Sequence, residues 1–197
     1  MISNMINRFN HDLAGNTLAV LVLLFMLYSL AYNGYKFYLG NPIPGKKQKQ
    51  HPSQNWIVPI LCLVGLFVAG YLTYIETTKI PAVCGPIGDC NTVQQSSYAK
   101  LLGIIPIGVV GMAGYVAIIA AWMISTYGPR KWSVLSILTI EGMVVFGMFF
   151  SIYLTFLEPF VIGATCIWCI SSAIIMTLLL WVATNPTIQA WQEWNDV

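Results

Sequence analysis

Apolar residues in this chain do not alternate with polar ones. They run in long blocks near positions 17–39, 56–77, 107–127, 133–157 and 165–184, separated by short polar stretches. Each block reaches the roughly 20 residues a helix needs to cross about 30 Å of hydrocarbon. The pattern therefore predicts five membrane-spanning helices and an all-α integral membrane protein. The first block is long for a signal peptide, and no small-residue cleavage pattern lies near Leu39 and Gly40, so it is read as a retained helix.

Composition agrees with this reading. Of 197 residues, 57% are hydrophobic and only 8% are charged, which excludes a soluble globular domain of ordinary surface polarity. A net charge of +2 points to lipid rather than nucleic acid as the surroundings. Placement of the charges is more informative than their sum. Lys36, Lys46, Lys47 and Lys49 follow the first block, and Arg130 and Lys131 separate the third from the fourth, so these turns are expected on the cytoplasmic side. The N-terminus is then outside, the C-terminus inside, and loops 78–106 and 158–164 face outward with four of the five cysteines. Trp56, Trp132, Trp168 and Trp181 are expected as interfacial anchors.

Two helix exits are built alike. YLTYIETTKIPAVC, residues 71–84, is matched 82 positions later by YLTFLEPFVIGATC, residues 153–166, with Tyr, Leu, Thr, Glu, Ile, Ala and the final Cys coinciding. Both helices run outward in the charge-derived topology, so Cys84 and Cys166 arrive on one side. Between them, Val93, Tyr98, Leu101 and Leu102 can share a face of a short interfacial helix that Gly103 would stop. Such a helix could cap a pocket at the bundle mouth or be a plain connector.

The cysteines carry the candidate chemistry. Cys166 and Cys169 form a Cys-x-x-Cys at the start of the last block, where free N–H groups and the positive helix end favour a thiolate. With Cys84 and Cys90, four outward cysteines in two close pairs permit a relay in which a thiolate of one pair attacks the disulfide of the other. Two alternatives remain open. The pairs could be inert staples, although closing so short a loop as Cys166 to Cys169 stabilises little. They could also hold zinc, although Cys-x5-Cys is an unusual ligand spacing. Cys62, in mid-helix, reads as packing. With no nucleotide, haem or flavin motif, a lipid-soluble quinone is the economical electron acceptor.

These residues resemble the vitamin K epoxide reductase family in its bacterial form, over about Trp56 to Ala183. The carriers are Cys84, the run CNTVQQSSYAKLLG from Cys90 to Gly103, Pro106, and the Cys-x-x-Cys of Cys166 and Cys169. The resemblance implies a four-helix bundle around a quinone (ubiquinone, menaquinone or plastoquinone) to which the first block adds an extra helix. It implies that Cys166 exchanges with the loop pair and that Cys169 faces the quinone. Cys84 and Cys90 would take electrons from a thioredoxin-fold partner in the periplasm or lumen, in support of disulfide formation in exported proteins. Ser96 falls where the family has a loop serine near the quinone. Two departures matter: Gly103-Ile104-Ile105-Pro106 replaces the usual Gly-Ile-Pro, and Ala173 stands where vertebrate members place a tyrosine, which disfavours epoxide chemistry. No thioredoxin domain follows Ala183, so the partner is expected to be a separate protein.

The chain is accordingly divided into an N-terminal helix and basic loop, 1–55, a catalytic bundle, 56–184, and a short cytoplasmic tail, 185–197. Glu141, deep in the fourth block, is a weak candidate for proton transfer. Asp89 reads as a turn or cap residue that would disfavour a Cys90 thiolate. Gly108, Gly111 and Gly114 are expected to let helices pack closely. His11 and His51 have no companion ligands in sequence.

Overall fold

The computed structural model describes residues 9–10, 12–39, 56–85, 88–101 and 103–195. Lys46, Lys47, Lys49, His11, His51 and Leu102 fall outside them. Five helices are long and apolar enough to span a membrane: α1 (Leu13–Leu39), α2 (Ile57–Thr78), α4 (Ile107–Tyr127), α5 (Arg130–Leu157) and α6 (Ile167–Asn195). Between α2 and α4 lie a six-residue helix, α3 (Cys90–Gln95), a 3-10 turn at Ser97–Ala99, and an antiparallel hairpin of β1 (Lys100–Leu101) and β2 (Ile105–Pro106). The protein is thus an all-α integral membrane protein with five spans.

Exposure follows from the solvent a membrane provides. Phe67, Phe146, Leu63 and Tyr127 point outward while Met148, Val144, Leu179 and Leu180 are buried, because the bilayer accepts apolar side chains on the outside of a bundle. Helices α2, α4, α5 and α6 form the bundle, and α1 packs along α5 and α6. Small residues let the backbones meet. A Cβ on Gly65 would collide with the Tyr115 ring, and one on Gly108 would meet Thr73 and the Ala69 carbonyl. Buried threonines on α6 return their hydroxyls to carbonyls one turn back, as Thr177, Thr184 and Thr187 do. Polar groups are satisfied in this way without water.

The last two helices differ from the sequence expectation. Helix α5 begins at Arg130 and leads into a π-helical turn at Glu158–Ile162, which Gly163 ends at a positive φ of 82°. Helix α6 continues through Pro186 to Asn195, so Trp181 sits in mid-helix, stacked on Tyr32 of α1 at 5.3 Å, and not at an end. The expected interfacial helix is reduced to α3. Ser96 leaves the helical region with ψ of 154°, so Val93 is buried while Tyr98 and Leu101 are exposed and share no face with it.

Candidate functional site

The two repeated helix exits meet at one end of the bundle. After α2, Lys79 turns the chain in the left-handed conformation and the loop carries Cys84 to a disulfide with Cys90, their Cα atoms 6.0 Å apart. Asp89 caps α3, accepting from the Thr92 N–H at 3.1 Å, and Cys90 is fully buried. After α5, the loop Gly163–Cys166 leads directly into α6. Cys166 and Cys169 are free thiols there.

Three contacts hold the disulfide loop against the entry to α6. The Trp168 indole N–H donates to the Val83 carbonyl at 3.0 Å, and its ring packs on Tyr71 at 4.4 Å. Gly88, at φ of 92°, brings its backbone so near the Thr165 carbonyl that any Cβ would collide with it. The Gln94 amide N–H2 reaches both sulfurs, 3.8 Å from Cys166 and 3.9 Å from Cys169. Trp168 therefore clamps the two exits together, a role beyond the interfacial anchor its sequence position suggested.

Cys166 occupies the N-cap of α6, its carbonyl accepting from the Ile170 N–H at 3.0 Å. A sulfur at this position faces the unpaired N–H groups of the first turn. The hydrogen bond from the Cys169 thiol, helped by the backbone N–H groups of Cys169 and Trp168 and by Gln94, outweighs burial and brings the Cys166 thiol down to about 7. The arrangement thus favours a thiolate at Cys166, with the Cys169 thiol as the donor beside it.

Glu158 completes this end. It is only 2% exposed, and its carboxyl oxygen accepts from the Cys166 N–H at 3.2 Å. It has the Cys169 thiol within its reach as well. Its repeat partner Glu76 does the equivalent for α4, accepting from the Gly108 N–H at 3.4 Å. The sequence contained this signal as the one charged position conserved between the two copies, but read it only as evidence of a repeat.

A cavity of about 490 Å³ opens beside Cys169 between α2, α4, α5 and α6. Its wall is mostly apolar, with Thr139, Ser151 and Thr155 among the lining residues and a polar pair, Tyr115 and Ser172, whose hydroxyls are 3.1 Å apart. The glycines divide here. Gly108 packs α4 on α2 as expected, but Gly114 and, on α5, Gly142 have no atom within 4 Å of where a Cβ would be, so they hold the cavity open. Gly142 and Phe146 are exposed along α5, which places the opening on the face that meets lipid. Ala173 lines the same wall, where Tyr115 supplies a phenol from α4.

A smaller pocket of about 40 Å³ lies on the outer side of Cys169, lined by Gln94, Ser96, Glu76 and Glu158 among others. Ser96 is therefore brought near Cys169, with its hydroxyl donated to the Val93 carbonyl at 2.7 Å. Glu141 is not. It faces α6, accepting from Thr184 at 3.1 Å, and lines neither pocket beside Cys169. Cys62 is fully buried and lines neither.

Helix α1 is fastened to this end through Asn16. Asn16, fully buried, donates to the Gly163 carbonyl at 3.3 Å and accepts from the Thr165 hydroxyl at 3.0 Å, fastening the loop that delivers Cys166. The model of the vitamin K epoxide reductase family matches residues 56–184, which spans α2 through most of α6 and leaves α1 outside the match.

Proposed function

Because the chain belongs to the vitamin K epoxide reductase family, we propose that it is a membrane thiol:quinone oxidoreductase that moves electrons from exported thiols to a quinone. The observation that carries the reading is the position of Cys169, which lines the large apolar cavity while sharing hydrogen bonds with Cys166 and Gln94. The cavity fits a quinone in three respects: mostly apolar walls, a hydrogen-bonded hydroxyl pair, and space at Gly114 and Gly142 that a side chain would fill. When bound, a quinone accepts two electrons and two protons.

The protein's own groups divide the work. A reduced thioredoxin-fold partner attacks the Cys84–Cys90 disulfide and leaves it as two thiols. The loop pair then reduces a Cys166–Cys169 disulfide through a mixed disulfide, which the Trp168, Gly88 and Gln94 contacts hold in register. The arrangement with Cys84–Cys90 closed and Cys166/Cys169 open is the stage at which electrons have reached the inner pair. From there Cys166 re-forms its disulfide with Cys169 as the electrons leave into the cavity. Ser96 borders this step and can donate once its hydroxyl turns from Val93.

The cysteine end is assigned to the periplasmic or lumenal face, with the N-terminus outside and the C-terminus cytoplasmic. Supporting this, Lys36, Arg130 and Lys131 sit at the opposite end of the spans. We assign residues 56–184 to the catalytic bundle and α1 to a brace, while α6 carries on into the expected cytoplasmic tail, 185–197, as far as Asn195.

The test follows quinone reduction by absorbance with two donors. Turnover driven by a small dithiol requires Cys166 and Cys169, and turnover driven by a thioredoxin-fold donor also requires Cys84 and Cys90. Equal rates for the Cys84→Ala and wild-type proteins with the protein donor would remove the relay.

A further inference from the structure

Glu158 has no part in the relay above, yet it is the most deeply buried carboxyl among the described residues. It touches both members of the inner pair, at the Cys166 N–H and the Cys169 thiol. It also lines the small pocket that Glu76 lines from the other side. Glu76 in turn borders an open groove of about 560 Å³ together with Lys79 and Lys100. A line of acid groups therefore runs from Cys169 to water: Glu158, the small pocket, Glu76, the groove.

Resting on the thiol:quinone reading, we propose that Glu158 holds the second proton of the reduced site and releases it when the Cys166–Cys169 disulfide forms. The reduced site then consists of a Cys166 thiolate, a Cys169 thiol and a protonated Glu158. Closing the disulfide forms one S–S bond and frees two electrons, the Cys169 proton and the Glu158 proton, while Glu158 becomes a carboxylate. Two electrons and two protons are what a quinone needs to become a quinol, so the site delivers a complete set with its net charge unchanged. On the next reduction Glu158 is reprotonated from water through Glu76.

Charge repulsion makes the coupling run in this direction. Burial disfavours the charged acid, and a thiolate at Cys166 beside a carboxylate at Glu158 would add two like charges on adjacent groups, so the thiolate strengthens the preference for the protonated acid. Forming the disulfide removes the thiolate's share and makes the acid easier to ionise. The other titratable groups on the way from Glu158 to water are Glu76 and Lys79 at the end of α2 and Tyr98 and Lys100 after α3. None of them is a member of the pair that opens and closes, so none gains or loses a charge at this step.

The experiment needs no quinone. Purified protein with its inner pair reduced is oxidised by ferricyanide, which takes electrons without protons. A pH indicator counts protons released, and mass shifts after alkylation confirm that Cys166 and Cys169 have closed. At pH 8, where Cys166 is already a thiolate, the wild type releases close to two protons per disulfide. Glu158→Gln, whose amide can still accept from the Cys166 N–H, releases one. Glu158→Asp, which keeps a carboxyl, restores part of the second. One proton from the wild type, or two from Glu158→Gln, would overturn the assignment. Failure of the thiol:quinone reading would show separately, as a wild-type protein that releases two protons to ferricyanide yet leaves quinone untouched.

Discussion

Removing the Cys169 thiol should change how Cys166 responds to pH, in opposite senses at the two ends of the range. The hydrogen bond from Cys169 is the largest influence bringing Cys166 from 9.0 to about 7. In Cys169→Ala that donor is lost while burial and the remaining N–H donors stay, so the thiol rises toward its ordinary value of 9.0. At pH 7 the thiolate fraction falls from about one half toward a limit of about 1%. A thiolate of lower pKa is intrinsically less nucleophilic, by about sixfold to tenfold for this difference. The net expectation is that wild-type Cys166 is alkylated about five to eight times faster than the variant at pH 7, and several-fold slower at pH 9.5. Iodoacetamide labelling from pH 5.5 to 9.5, with tandem mass spectrometry to assign the modified sulfur, gives both curves. Because Cys166 is buried, the position of each midpoint is the decisive quantity and not the absolute rate. The linked effect on stability has the sign of a lowered acid: it is fully present above the unfolded value near 9 and lost as pH falls through about 7. Parallel curves for the two proteins, with a shared midpoint near 9, would refute the thiolate assignment.

Other consequences can be checked with single variants. Asn16→Ala leaves the Thr165 hydroxyl and the Gly163 carbonyl without their partner, which costs about 1–3 kcal/mol and should lower the Tm while speeding alkylation of Cys166. Gly142→Leu fills open space in mid-helix, so stability should hold or rise by up to about 1 kcal/mol while quinone KM increases at least tenfold; an unchanged KM would move the quinone elsewhere. Trp168→Phe keeps the ring on Tyr71 but deletes the bond to Val83, and should slow electron transfer from the Cys84–Cys90 loop with small dithiols unaffected at the inner pair.

How far the sequence could be read depends on how local each feature is. The five spans and the shared end of four cysteines follow from apolar run lengths, lysine and arginine placement, and the repeat of 71–84 in 153–166. These are properties of continuous segments. Helix ends were harder. Pro186 and Asn185 resemble a stop, yet α6 continues through them to Asn195, with the Thr184 and Thr187 hydroxyls bonding the Leu180 and Ala183 carbonyls beside the break. The loop after Cys90 has helical composition, but Ser96 turns out of the helix and donates to Val93, so the predicted apolar face never forms. The glycines on α4 follow one spacing but have two roles, which are decided only by what α2 and α5 place opposite them. Glu141 and Glu158 look alike as isolated acids in apolar runs. One faces two threonines on α6, the other the inner cysteine pair, and only the repeat singled out the second.

The central claim is that electrons leave the protein through Cys169 into the cavity beside it. Its most direct test is a single turnover: protein reduced only at Cys166 and Cys169 is mixed with one equivalent of soluble quinone, and quinol and disulfide are counted together. The account predicts one quinol for each Cys166–Cys169 disulfide, and none from Cys169→Ala. Quinol formed by Cys169→Ala at the wild-type rate, or a disulfide that closes with no quinol formed, would contradict it.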